Sequence, residues 1–153
     1  MKVFVGTDPG LNGAFCALGE DGSTIFKDYE TNPYAMASWL HDLSQSHDIH
    51  MCMIEDVHAI FGSSAKGTFN FGFNVGILHG IIRTLGLPLD LVQPKAWQKH
   101  FGVSAKGKAI KQNVAEIAIR LFPTAEIYGP KGGLLDGRSD ALLIAAYCKF
   151  KHS

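Results

Sequence analysis

At 153 residues, 46% hydrophobic and 18% charged, the chain suits one domain with a sizeable core and is too apolar to remain disordered. Its 14 basic side chains balance its 14 acidic ones, which excludes a simple polycation that coats nucleic acid or membranes. The balance hides a split: residues 1–56 hold nine acids and two bases, residues 57–153 five acids and twelve bases, so a polyanionic partner is expected for the second part.

In chain order, residues 2–7 predict a strand ending at Asp8-Pro9-Gly10. Residues 13–19 predict a second strand, Glu20-Asp21-Gly22 a hairpin turn, and 23–29 a third strand. Asn32-Pro33 is a helix start, with a capping side chain before a proline, and the helix should run over 33–46, burying Met36, Trp39, Leu40 and Leu43. The apolar run 51–55 suits a buried strand. After a loop over 56–67, a helix is expected at 68–85 with Gly72, Gly76 and Gly80 on one face. Each glycine costs about 1 kcal/mol against Ala, so close approach of another helix, within the chain or across a dimer axis, is expected there. A strand at 88–93, helices at 94–101 and 108–121, a loop over 123–135 and a last helix at 137–150 complete a mixed α/β sheet with helices on its faces.

Cys16, Cys52 and Cys148 lie far apart among apolar neighbours and form no C-x-x-C pair, which predicts buried thiols in a reducing compartment. The N-terminal apolar run is too short for a signal peptide, and no stretch approaches membrane-spanning length. A soluble, cytoplasmic protein is expected. Seven histidines show no zinc-ligand spacing, and no G-x-S-x-G or Cys–His pattern suggests covalent catalysis.

Acids stand at the ends of predicted elements. Asp8 closes the first strand, Glu55 the fourth, and Asp136 and Asp140 flank the start of the last helix, four apart and so on one helical face. Sites in α/β sheets gather at strand ends. Taken singly, Asp8 reads as a turn residue, Asp136 as an N-cap and Asp140 as a first-turn acid favoured by the helix dipole. Taken together, several carboxylates around one point repel one another unless a hard cation such as Mg²⁺ or Mn²⁺ joins them. Two such ions about 4 Å apart can activate water and stabilise the leaving oxygen of a phosphodiester, so metal-assisted phosphoryl transfer is the chemistry expected.

Val5-Gly6-Thr7-Asp8-Pro9-Gly10, Ile54-Glu55-Asp56-Val57 and Asp136-Gly137-Arg138-Ser139-Asp140-Ala141-Leu142 resemble, in order and spacing over nearly the whole chain, the three acidic motifs of the RuvC Holliday-junction resolvases, and most nearly the phage-type members. The resemblance implies an RNase H-like fold with a five-stranded mixed sheet and a homodimer. It also implies Mg²⁺-dependent endonuclease activity on branched DNA, in the host cytoplasm if the chain is phage-encoded. By position, Asp8, Glu55 and Asp140 match the metal ligands, with Asp136 assisting, and Asp8 would bridge two ions. Bacterial members space their last two acids as Asp-x-x-Asp, which would put the first at Gly137. Here Asp136 gives Asp-x-x-x-Asp, with a helix-weakening glycine between the acids.

Between Asp90 and Glu116 there is no acid, while Lys95, Lys99, Lys106, Lys108 and Lys111 fall there. Beside a carboxylate centre these lysines are expected to contact DNA phosphates, with Lys66 and Arg138 as further contacts. Trp97 and Phe101 read as core residues. His58, Phe61 and Phe69, in or beside the loop after Glu55, are candidates to insert at the junction centre, although Phe69 fits a helix core equally well. Rival readings are a non-catalytic or broad-specificity branched-DNA binder, an RNase H-type nuclease on RNA–DNA hybrids, a flap nuclease, and an actin-like phosphotransferase. The last needs two such domains, for which the length leaves no room.

Overall fold

A computed structural model describes residues 1–58 and 62–153. The elements run β1 (Lys2–Asp8), β2 (Ala14–Gly19), β3 (Thr24–Asp28), α1 (Pro33–Ser46), β4 (Asp48–Glu55), α2 (Ala65–Thr84), β5 (Leu89–Val92), α3 (Pro94–His100), α4 (Ala109–Leu121) and α5 (Asp136–His152). The five strands form one mixed sheet in the order β3-β2-β1-β4-β5. β1, β2 and β3 pair antiparallel as a meander, and β4 and β5 continue parallel to β1. This is the expected five-stranded mixed sheet flanked by helices.

Alternation along β1 divides the interior in two, because successive side chains of a strand point to opposite faces. Val3 and Val5 join Phe15, Ala17, Cys52 and Ile54 beneath Met36, Leu40 and Leu43 of α1 and Leu78 and Ile82 of α2. Phe4 joins Cys16, Leu18 and Met53 on the other face, covered by Trp97, by Val114 and Ala118 of α4, and by the apolar run Ala141–Ala145 of α5. The three cysteines are free and buried. Among the described residues no helix is long and apolar enough to cross a membrane.

Glycine decides how closely α5 approaches the sheet. A Cβ built on Gly6 would lie 2.2 Å from the Ala141 carbonyl oxygen and 2.3 Å from the Ala145 nitrogen, so the backbones of β1 and α5 are in direct contact. Gly6→Ala is expected to force α5 outward and to destabilise the fold by about 1–3 kcal/mol, as overpacking does; urea unfolding measures it.

Most expected boundaries hold, and Asn32 caps α1 by accepting a hydrogen bond from the Tyr34 N–H. Two elements begin earlier than expected. β4 starts at Asp48, because Lys2 and Val3 of β1 offer it partners, and His50 packs edge-on against Phe4. α2 starts at Ala65, where Ser64 accepts the Gly67 N–H. Trp39 is half-buried rather than core, stacked on Phe15.

Gly72, Gly76 and Gly80 are exposed, and a Cβ added at any of them would meet nothing within 4 Å. Among the described residues, the close helix contact their spacing predicts is therefore not made. Phe69 and Phe73, stacked on each other and 71% and 61% exposed, lie on the same side of α2. Phe69 is thus not helix core.

Candidate active site

The sheet topology brings the acids together. β1 and β4 are parallel neighbours in register from Thr7 and Ile54, so Asp8 and Glu55 emerge side by side at the same sheet end. α5 starts over that end and runs back along β1, which brings Asp136 and Asp140 to the same place. Gly137, between them, does not loosen the helix. A Cβ there would fall 1.9 Å from the Asn12 carbonyl oxygen, so its hydrogen lets the first turn of α5 press against the β1–β2 turn. Gly137→Ala is expected to push the first turn of α5 off the β1–β2 turn, lifting both acids away from Asp8 and destabilising the fold by about 1–3 kcal/mol, as overpacking does; urea unfolding measures it.

Burial and mutual repulsion set the electrostatics. Burial, then the charges of Asp8, Glu55 and Asp136, push the Asp140 carboxyl up to about 8. Burial raises Glu55 to about 7, against the hydrogen bond from Trp97 and with the help of Asp8. Asp8 is also raised, chiefly by burial, although the Gly10 N–H favours its charged form. Carboxylates that raise one another in this way are short of positive charge, and Lys111 supplies some of it from 3.0 Å away on Asp136.

A hard divalent cation fits this all-oxygen donor set chemically. Among the described residues, however, no three His, Cys, Asp or Glu side chains are gathered closely enough to hold one. The local partners account for this. Asp8 accepts the Gly10 N–H at 3.1 Å, Glu55 accepts the Trp97 indole N–H at 2.7 Å, and Asp136 is drawn to Lys111. Asp8 is thus both the turn residue and the central acid, and Asp136 is an ion-pair partner rather than an N-cap, a position that Leu135 takes without a side-chain bond.

Around the acids, Lys95 and Lys99 are exposed one turn apart on α3, and Lys106 and Lys108 are exposed in the turn that opens α4. Lys66 is exposed in the first turn of α2. A groove of about 830 Å³ beside Glu55 is lined by Asp56, Val57, His58, Phe71, Gln93, Lys95 and Lys99. His58 is exposed on its wall, and Phe61 lies outside the described residues.

Arg138 is placed differently from the lysines. Its guanidinium grips Asp28 of β3 through two hydrogen bonds (2.7 and 3.0 Å), donates to the Glu126 carbonyl at 2.8 Å and lies over the Phe26 ring. A phosphate would have to displace Asp28, and the evident role of Arg138 is to clamp α5 to the sheet edge. Arg138→Gln is expected to cost about 1 kcal/mol of stability, since a partly exposed pair is screened; urea unfolding at low and high salt checks it.

The Trp97–Glu55 and Lys111–Asp136 contacts have no motif of their own in the sequence. A buried indole N–H needs an acceptor, which was the available signal for the first; spacing carried none for the second.

No protein-family model and no curated protein sequence matches this chain. Its fold is similar to that of Thermus thermophilus RuvC in complex with a Holliday junction substrate, with a TM-score of 0.65 at 14% identity over 94% of this chain and 90% of that one. A second Thermus thermophilus RuvC structure matches with a TM-score of 0.58 at 17% identity, over 98% and 97% of the two chains. The yeast mitochondrial Holliday junction resolvase Ydc2 matches with a TM-score of 0.55 at 17% identity, over 93% and 75%. At these identities the likeness establishes the fold: the chain has the RNase H-like architecture that RuvC shares.

Proposed function

We propose that this chain is a metal-dependent endonuclease that resolves four-way DNA junctions and acts on related branched DNA as a homodimer. The observation that carries the reading is the meeting of Asp8, Glu55, Asp136 and Asp140, from three separate segments, at one sheet end, where burial and neighbouring charge raise the proton affinities of Asp8, Glu55 and Asp140. It is supported by the RuvC-like, phage-type spacing of the three motifs and by the likeness to a RuvC solved on a Holliday junction.

In this reading Asp8, Glu55 and Asp140, assisted by Asp136, would hold Mg²⁺ or Mn²⁺, two ions in the full arrangement. A bound cation would supply the positive charge that activates water and stabilises the leaving oxygen. The chain's own groups do the rest. Asp8 and Glu55 are fixed by adjacent strands, and Asp140 follows from α5 through the Gly6 contact. Lys95, Lys99, Lys106, Lys108 and Lys66 would bind backbone phosphates, and Lys111, freed from Asp136, would join them. His58, Phe61 and Phe69 would face the junction centre.

The exposed glycine face of α2, rimmed by Phe69 and Phe73, is where we place the dimer axis. Gly76→Leu is expected to shift a dimer to monomer in sedimentation at micromolar concentration. Two sites related by a twofold axis would match the near-symmetry of a four-way junction.

The test is cleavage of labelled four-way junction, flap, duplex and RNA–DNA hybrid in Mg²⁺, Mn²⁺ and EDTA. Junction cleavage that needs the cation is expected. Preferred cleavage of the hybrid would assign an RNase H-type activity instead. A second reading, junction binding without cleavage, is favoured by one observation: no three ligands are gathered among the described residues. It requires equal junction affinity in EDTA and Mg²⁺ and no nicking in either.

A further inference from the structure

We propose that Trp97 is a positioning residue for Glu55: its indole N–H holds one carboxylate oxygen and so aims the other at the acidic centre. The proposal rests on the functional reading above and names the group that sets the orientation of one of its ligands.

The geometry is specific. Trp97 is 1% exposed and belongs to the core beneath α4 and α5. Its single polar atom, Nε1, donates to Glu55 Oε2 at 2.7 Å, at the short end for an N–H···O bond. A side chain needed only to fill this space would be Phe or Leu, which carry no buried donor to satisfy.

The indole is itself held firmly. α3 begins at Pro94, and its entry is tied to the strand ends. The Asp56 N–H donates to the Val92 carbonyl at 2.7 Å, and Gln93 Nε2 donates to the Asp56 carboxylate at 2.9 Å. Glu55 is therefore fixed twice, by β4 through its backbone and by α3 through its side chain. Oε2 accepts from the indole, which would leave Oε1 free to turn to the acidic centre. The opposite face of α3 carries the exposed Lys95 and Lys99, so the helix that would meet DNA is also the helix that aims this carboxylate.

Groups that orient a ligand from behind typically change metal affinity or activity about 10–100-fold when removed. Trp97→Phe keeps the packing and deletes the donor. Mn²⁺ titration calorimetry should show affinity weakened about 10–100-fold, while junction affinity in EDTA stays unchanged. Cleavage should then need more Mn²⁺ for half-maximal rate and recover most of its rate at saturation, a split that a merely structural role would not produce. Unchanged Mn²⁺ affinity in the variant would overturn the proposal.

A second measurement uses the unaltered protein, whose only two tryptophans are Trp39 and Trp97. In ¹⁵N-indole spectra, Mg²⁺ should move the Trp97 N–H resonance and leave that of Trp39 in place, with Trp39→Phe providing the assignment. A Trp97 resonance that stays still while metal binds would overturn the proposal alone. Absence of any Mn²⁺ or Mg²⁺ binding by the unaltered protein would overturn the metal reading of the site and this proposal with it.

Discussion

Asp8→Asn is expected to reduce junction cleavage by more than about 100-fold, beyond the range for losing a group that merely supports a metal site, and to leave junction binding intact. Burial is the main cause of the raised carboxyls, and beyond it the charge of Asp8 raises both Glu55 and Asp140 while that of Asp136 raises Asp8. The substitution is structurally mild, because the Asn carbonyl can still accept the Gly10 N–H that shapes the turn after β1. Removing one negative charge from the surface proposed to receive DNA would favour phosphate approach. Single-turnover cleavage of a labelled junction, alongside binding in EDTA, measures both quantities. Near-normal cleavage would remove Asp8 from the chemistry, and a parallel loss of binding would mean the turn had collapsed.

Asp140→Asn is expected to make the metal-free protein more stable above pH 7, and less responsive to Mg²⁺. The sign follows from the shifts. Glu55 and Asp140, raised to about 7 and about 8 in the fold, bind more protons folded than unfolded between about pH 4 and pH 8. Stability therefore falls as pH rises through that window. One pKa unit corresponds to about 1.4 kcal/mol, so relieving Asp140 should raise Tm in EDTA at pH 8 by several degrees, at roughly 2–4 °C per kcal/mol for a chain of this size. Mg²⁺ should reverse the order, stabilising the unaltered protein by mass action and the variant little. Thermal unfolding in EDTA and in Mg²⁺ from pH 5 to 8.5 tests both halves. A variant less stable than its parent at pH 8 in EDTA would contradict the electrostatic account.

The elements were legible because their signals are local. Asn32-Pro33 marks the start of α1, Glu20-Asp21-Gly22 the hairpin, and period-two alternation β1. The three acidic motifs were visible at element ends, since strand-terminal acids need no tertiary information to find. That Asp8 and Glu55 are neighbours depends on β4 pairing with β1 rather than with β3, a long-range choice no local pattern records. The same holds for Arg138, whose partner Asp28 is 110 residues away. Next to the acids it looked like a phosphate contact, and only the packing of α5 on β3 shows it to be a clamp. Helix propensity marks Gly137 as a weak point, whereas its reason is the Asn12 carbonyl against it. Its apolar neighbours mark Trp97 as core, yet its one polar atom is what reaches Glu55.

The acids at this sheet end are expected to take up a cation, although Asp8, Glu55 and Asp136 are turned to Gly10, Trp97 and Lys111 here. Anomalous diffraction from crystals grown with Mn²⁺ at pH 8 tests it most directly. Mn²⁺ is expected among Asp8, Glu55 and Asp140, with Trp97 still on one oxygen of Glu55 and Lys111 released from Asp136. Anomalous density absent from that sheet end, or bound elsewhere on the chain, would contradict it.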